Sequence, residues 1–153
     1  MHKLEDLRLR QSHRTEMTKG IWLYGPTGTG KSHQAFEGFS EETHYVVPLA
    51  DKGWWDGYEQ QETVIFNDFR GEVPYAMMLN LVDKWPMHVP RRCREPIPFT
   101  SKRVIVTSSQ APHEVYHRRA EEDSIEQLLR RFEVKQCLVR VTENDRTEID
   151  LTQ

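Results

Sequence analysis

An α/β fold around a central parallel sheet is predicted by three observations. Apolar runs recur along the chain at residues 21–24, 44–49, 63–66, 104–107 and 134–141, separated by polar or helix-compatible sequence. Strands that are apolar on successive residues belong to a sheet covered on both faces, and their alternation with helices makes that sheet parallel. The first run leads straight into Gly25-Pro26-Thr27-Gly28-Thr29-Gly30-Lys31-Ser32, a complete G-x-x-x-x-G-K-[ST] pattern. Chance yields that pattern roughly once in 200 chains of this length, and the apolar run before it and helix-compatible run after it supply the strand–loop–helix context that phosphate binding requires.

Each element has a local reason. Residues 1–17 are charged and helix-compatible, with Leu4, Leu7 and Gln11 along one stripe; a short helical segment is expected, packed on the core or on a neighbouring subunit. Residues 18–153 then form the main domain, entered through the break at Thr18-Lys19-Gly20. A helix from Lys31 to Phe39 would set Ala35, Phe36 and Phe39 on one face. The strand at 63–66 ends at Asn67-Asp68. After Gly71 a helix over 74–84 turns Met77, Met78, Leu81 and Val82 inward, with Pro74 at its first position, where a missing N–H does no harm. A helix at 124–131 precedes the last strand. The sum is about five parallel strands with helices on both faces.

Composition narrows the class. With 153 residues, 37% apolar and 29% charged, the chain suits one soluble domain burying ~70% of its unfolded surface. No apolar run approaches the ~18 residues of a membrane span, and the first residues lack a signal-peptide core. Cys93 and Cys137 are widely spaced with no Cys-x-x-Cys, which points to a reducing compartment and no structural zinc. The net charge of −3 means that nucleic-acid contact must come from a local basic patch.

The chemistry follows from residue types at element ends. Glycines let backbone N–H groups close around an anionic phosphate. Lys31 would reach the β- and γ-phosphates of a nucleoside triphosphate, and the Ser32 hydroxyl would hold Mg2+. Such a site needs an acidic group at a neighbouring strand end, and residues 63–68 form the one apolar strand ending in one, at Asn67-Asp68; a plain strand end with an Asx turn is the alternative. Thr107-Ser108-Ser109 places hydroxyls where a parallel-sheet ATPase senses the γ-phosphate, or else forms an ordinary turn toward Pro112.

Two basic groups and a decoy complete the set. Between Met87 and Thr100, two apolar arms flank a turn with Arg91, Arg92 and Arg94, followed by Lys102 and Arg103. This cationic projection suits a phosphate backbone, although a charge run also serves as a solvated face. Arg130-Arg131 ends a helix, where the dipole favours cations; the functional reading is an arginine finger acting on a neighbouring subunit's nucleotide. His113-Glu114-Val115-Tyr116-His117 spells H-E-x-x-H, but zinc chemistry needs a long helix presenting both imidazoles and a third ligand downstream.

Taken in order, the phosphate loop, Lys52-Gly53-Trp54-Trp55-Asp56-Gly57-Tyr58, Asn67-Asp68-Phe69-Arg70-Gly71, Asp83-Lys84-Trp85-Pro86, Thr107-Ser108-Ser109 and Arg130-Arg131-Phe132 resemble the superfamily 3 helicase domain of replication-associated (Rep) proteins of circular single-stranded DNA viruses, circovirus-like in type. The resemblance covers residues 18–142. It implies a phosphate-loop NTPase fold of the AAA+ type and an ATP-dependent helicase working as a hexameric homo-oligomeric ring on single-stranded DNA in viral genome replication. By that resemblance Gly25, Pro26, Thr27, Gly28, Thr29, Gly30, Lys31 and Ser32 bind ATP, with Arg130 also facing nucleotide. Ser32 and Asn67 hold Mg2+, Asn67 and Asp68 occupy the acidic-pair positions, Ser109 the sensor position and Arg131 the finger position. Arg91, Arg92 and Arg94 lie in the pore-facing loop. Asn67 stands where the family has an acid and Ser109 where it has asparagine, departures that bear on hydrolysis rate rather than on binding. The Trp-Trp-Asp-Gly-Tyr segment is expected to pack beside the nucleotide.

The same resemblance implies residence in the host nucleus. The His-hydrophobic-His motif of the family's upstream nuclease does not occur, so that domain is expected to be absent and no nicking activity to be present. Two competing functions use the same loop: a small-molecule kinase, and an ATP-gated assembly module with weak hydrolysis. A GTPase would need an Asn-Lys-x-Asp base-reading motif, which the sequence lacks.

Overall fold

In the computed structural model, which describes residues 13–51, 53–118, 124–138 and 151–152, the chain runs β1 (Lys19–Tyr24), α1 (Lys31–Ala35), β2 (His44–Val46), a 3-10 turn (Leu49–Asp51), β3 (Thr63–Phe66), α2 (Tyr75–Leu81), β4 (His88–Arg91), β5 (Arg94–Pro98), β6 (Arg103–Ser108), α3 (Pro112–Val115), α4 (Ile125–Arg131), β7 (Phe132–Cys137) and β8 (Leu151–Thr152). The sheet order is β2-β3-β6-β1-β7-β8. The first five are mutually parallel and β8 pairs antiparallel with β7. The five expected strands are present, and β8 is an edge the sequence did not announce. β4 and β5 form a separate antiparallel hairpin.

The period of two along the strands divides the sheet into faces. Trp22, Val64, Phe66, Val104, Val106 and Phe132 enter one core together with Met78 and Leu81 of α2. Aromatic edges fill that side: the Trp22 ring lies 5.8 Å from Phe69 and 5.5 Å from Phe132, both edge-on, a geometry favoured by the ring quadrupoles. Leu23 and Ile65 point to the opposite face, where α1 sits against β6 and its Ala35 is buried. The thick core thus lies under one face, and the other face carries the phosphate loop and its helix.

Several boundaries differ from expectation for definable reasons. α1 stops at Ala35 instead of running to Phe39, because Gly38 adopts φ 72 and closes the helix end; Phe36 and Phe39 still pair, with ring centroids 5.5 Å apart. β2 stops before Pro48, which has no N–H to extend a ladder, although Val47 N–H still donates to Ile65 O at 3.0 Å. Pro74 caps α2 in an extended conformation and Tyr75 is its first residue. Residues 13–17 are not helical, and the rest of the expected N-terminal helix lies outside the described residues, as do positions 139–141 of the last predicted strand.

Arg14, which the sequence did not single out, closes α2. Its guanidinium donates to the carbonyls of Asn80, Leu81 and Trp85 and to Thr18 Oγ1. Those orphan carbonyls at a helix C-terminus require donors. Burial pushes the Arg14 pKa down, opposed by the Asp83 carboxylate.

Candidate active site

The phosphate loop is shaped by two glycines. Gly25 leaves β1 at φ 147, and a Cβ there would fall 2.1 Å from the Cys137 carbonyl oxygen at the end of β7. Any side chain would push the loop off the sheet. Gly30 enters α1 in the left-handed region, φ 84. Thr29 Oγ1 donates to Pro26 O at 2.8 Å and ties the loop across itself. Beneath it the Lys31 side chain, 8% exposed, donates to the carbonyls of Gly25 and Pro26. Burial pushes its pKa down, while Asp68 and Cys137 pull it back up. A desolvated ammonium held by neutral carbonyls is a site in want of an anion.

Opposite the loop, the ends of β3 and β6 form one hydrogen-bonded unit. Asn67 Oδ1 accepts from Ser32 Oγ at 2.9 Å and from Thr107 Oγ1 at 2.9 Å. Thr107 Oγ1 in turn accepts the Asp68 N–H at 2.9 Å, and Thr107 O accepts the Phe69 N–H at 2.7 Å. Ser108 Oγ donates to Phe69 O at 2.8 Å. Asp68 takes φ 54, a left-handed conformation that Asp tolerates, and its side chain is exposed beside the loop. The structure therefore brings Lys31, Ser32, Asn67 and Asp68 to one rim of the sheet. Ser109, the expected sensor, is exposed in a bend beyond the end of β6; the hydroxyl that reaches Asn67 belongs to Thr107, on the last stretch paired with β1. Thr107 and Ser109 are two residues apart and share one face of an extended strand, so alternation did not separate them.

The arginine hairpin is anchored by the Trp-Trp-Asp-Gly-Tyr segment. Trp55 is buried in the aromatic core, and its N–H donates to Pro90 O at 2.8 Å. Asp56 accepts the Arg92 N–H at 2.9 Å through Oδ1 and Arg92 Nε at 2.6 Å through Oδ2. The segment thus cradles the hairpin tip. The three hairpin arginines also separate. Arg91 is buried, with Nε and Nη2 both on Glu95 O at 3.0 and 2.8 Å, because a bulge after Val89 turns the end of β4 inward. Arg92 and Arg94 face outward. Asp56 stood within a motif that the sequence singled out, but its pairing with Arg92 could not be read there, since the partner lies 36 positions along the chain.

Arg130 and Arg131 stand at the other rim. Phe132 pairs with Gly20 at the start of β1, whereas the phosphate loop leaves its end. At ~3.3 Å per residue, β1 alone separates the two by roughly 16 Å. Neither arginine reaches the loop of its own chain. Arg131 Nη1 pairs with Asp83 Oδ2 at 3.3 Å and lies 3.4 Å from Leu79 O, while Arg130 is exposed. The finger position thus holds an arginine turned onto its own domain. At the decoy motif, α3 spans only Pro112–Val115, and Glu114 is engaged in accepting the Ala111 N–H at 3.0 Å.

Residues 21–110 match the family model described as RNA helicase. The chain belongs to that family. It is a superfamily 3 helicase domain of the circovirus-like replication-associated type. This helicase domain is 38% identical over 132 residues to the replication-associated protein of beak and feather disease virus, covering 86% of the chain and 43% of that relative. It is 38% identical over 110 residues to the replication-associated protein of porcine circovirus 2, covering 72% and 34% respectively. The helicase domain thus spans less than half the length of these relatives. Among solved structures, the apo A form of the NrS-1 C-terminal region (305–718) superposes with a TM-score of 0.52 at 17% identity, covering 86% of this chain and 30% of that one; that likeness concerns the fold.

The residues of the helicase domain fit a magnesium nucleotide. A buried ammonium lies under a glycine loop, and the Ser32 hydroxyl, whose hydrogen Asn67 Oδ1 accepts, is a hard oxygen donor of the kind Mg2+ takes, together with waters and phosphate oxygens.

Proposed function

We propose that the domain is an ATP-dependent motor of viral genome replication, binding ATP with Mg2+ and working on single-stranded DNA as a hexameric head-to-tail ring in the host nucleus. The observation that carries this reading is the convergence of Lys31, Ser32, Asn67 and Asp68 on one rim. Lys31 exchanges its carbonyl partners for β- and γ-phosphate oxygens, a swap favoured by charge. Ser32 would offer its hydroxyl oxygen to the metal, with Asn67 Oδ1 accepting the Ser32 hydrogen. When bound, Mg2+ neutralises charge on the phosphates. Asp68, exposed and unmatched by a second acid, orients the attacking water. The arginine rim lies too far from its own loop to act there and is available to the loop of the next subunit. Arg92 and Arg94 meet the phosphate backbone of the strand.

ATP turnover by the chain, with and without single-stranded DNA, tests the reading. Turnover stimulated by the strand is expected, and Lys31→Ala is expected to abolish it without lowering the melting temperature. Undiminished turnover in Lys31→Ala would overturn the assignment. Electron microscopy with an ATP analogue and an oligonucleotide tests the ring.

A second reading, an ATP-gated assembly module that hydrolyses weakly, is favoured by one observation: both acceptor positions of Asn67 Oδ1 are taken by hydroxyls. Nucleotide-dependent assembly with turnover indifferent to DNA would select it.

A further inference from the structure

Asn67 occupies a position where an amide has a defect that a carboxylate does not: its two ends are not equivalent. The oxygen accepts and the nitrogen donates. A hydroxyl that gives a lone pair to a cation keeps its hydrogen and needs an acceptor for it, so Ser32 requires the oxygen end of Asn67. Turned over, the amide would present N–H to the hydroxyl hydrogen and weaken the metal side of the site.

In the local network the oxygen end of Asn67 faces both Ser32 and Thr107. The Asp68 N–H occupies a lone pair of Thr107 Oγ1 at 2.9 Å. The Thr107 hydroxyl donates its single hydrogen to Asn67 Oδ1, also at 2.9 Å. Ser32 Oγ reaches the same oxygen at 2.9 Å. Thr107 is itself fully buried, and its backbone oxygen accepts Phe69 N–H, so its hydroxyl is held by two elements at once.

We infer that Thr107 is a positioning residue: its buried hydroxyl orients the Asn67 amide, oxygen toward Ser32, and so allows an asparagine to serve where a symmetric carboxylate would need no orienting. The inference rests on the Mg-nucleotide reading of the site, and it makes a prediction that a merely structural Thr107 does not. Thr107→Val keeps the shape and removes the hydroxyl. With Asn67 present, the amide is released to turn. In an Asn67→Asp background both ends of the side chain accept, so turning is harmless.

The expected result is that Thr107→Val weakens Mg2+-dependent nucleotide binding by about 10–100-fold, the usual range for groups that orient metal ligands, while affinity in EDTA stays as in the unaltered chain. Thr107→Ser, which keeps the hydroxyl, should retain the Mg2+ response. The double variant Thr107→Val with Asn67→Asp should regain most of it. Binding is read with a fluorescent ATP analogue over a range of free Mg2+, and melting temperatures show that each variant folds.

Nitrogen-15 spectra of the nucleotide-free chain supply a readout independent of nucleotide. The Asn67 side-chain amide should show one orientation in the unaltered chain and in Thr107→Ser, with loss of that single orientation in Thr107→Val. Equal impairment of Thr107→Val on both backgrounds, equal impairment of Thr107→Ser, or an unchanged Asn67 amide in Thr107→Val would each overturn the inference. An unaltered chain that binds no nucleotide would instead sink the reading of the site, and the spectra would still decide what Thr107 does.

Discussion

Asp68 carries its exposed carboxylate directly beside Asn67 at the phosphate rim, which sharpens what its substitution should do. Asn tolerates the left-handed φ 54 of this position, so Asp68→Asn tests charge without adding backbone strain. Turnover is expected to fall by ~10²–10⁴-fold, the range for a lost general base, with Mg-ATP affinity retained. A large loss of affinity would show that Asp68 holds the metal instead. Asn67→Asp should tighten Mg2+ binding, measured by titrating Mg2+ at fixed nucleotide, because it restores a negative charge beside the cation. At this scale the sequence was informative wherever function depends on chain order. The phosphate loop is contiguous, so Gly25 to Ser32 could be read directly. Thr107 could not be chosen over Ser109, because the choice depends on where β6 ends, and both are hydroxyls two residues apart.

Among the elements, the β4–β5 hairpin is the one whose behaviour the sequence least foretold. Its two arms and basic turn were legible, but the inward turn of Arg91 and the Asp56 clamp depend on a bulge and on a distant carboxylate. The arginines should therefore separate in a salt titration of single-strand binding. Arg92→Ala and Arg94→Ala are each expected to lower the salt slope by ~0.7. Arg91→Ala should loosen the hairpin and leave the slope nearly unchanged, and equal effects from all three would contradict the geometry.

The clamp also has a pH signature. The Arg92 N–H, and then its side chain, hold the Asp56 pKa below the ordinary 3.8. A carboxylate depressed in the folded state contributes its stabilisation fully above 3.8 and loses it as pH falls through the lower, folded value. The Arg92 amide resonance is expected to titrate with a midpoint below 3.8; in Asp56→Asn that titration should vanish. Movement centred above 3.8 would mean that the clamp does not form. Helix lengths were overestimated for a related reason: Gly38 and Arg14 end α1 and α2, and Arg14 acts from outside the helix it closes.

The whole molecule is organised by strand direction. Five parallel strands gather the phosphate-loop residues at their C-terminal rim and Arg130 and Arg131 at the N-terminal rim. The sheet order was not legible in the sequence, yet this division follows from parallel pairing alone, which the alternating apolar runs predicted. If an arginine of that rim serves the neighbouring nucleotide, Arg131→Ala or Arg130→Ala should bind ATP nearly normally and lose about 10³-fold or more in turnover. Mixing the impaired variant with Lys31→Ala should restore part of the activity, since some contacts then join an intact loop to an intact arginine. No recovery in demonstrated mixed assemblies would count against sharing. Because Arg131 is paired with Asp83, Asp83→Asn should alter turnover only once chains are assembled.

Separated rims have an arithmetic consequence. If an arginine of one chain serves the loop of the next, a row of n chains joined rim to rim completes n − 1 sites, and only closing the row supplies the last. Turnover per chain should therefore be near zero in the monomer, climb with concentration as rows lengthen, and reach its ceiling at closure. Sedimentation and turnover measured across one dilution series would show the two rising together; a dilute monomer as active per chain as the concentrated protein would mean that each chain owns a complete site.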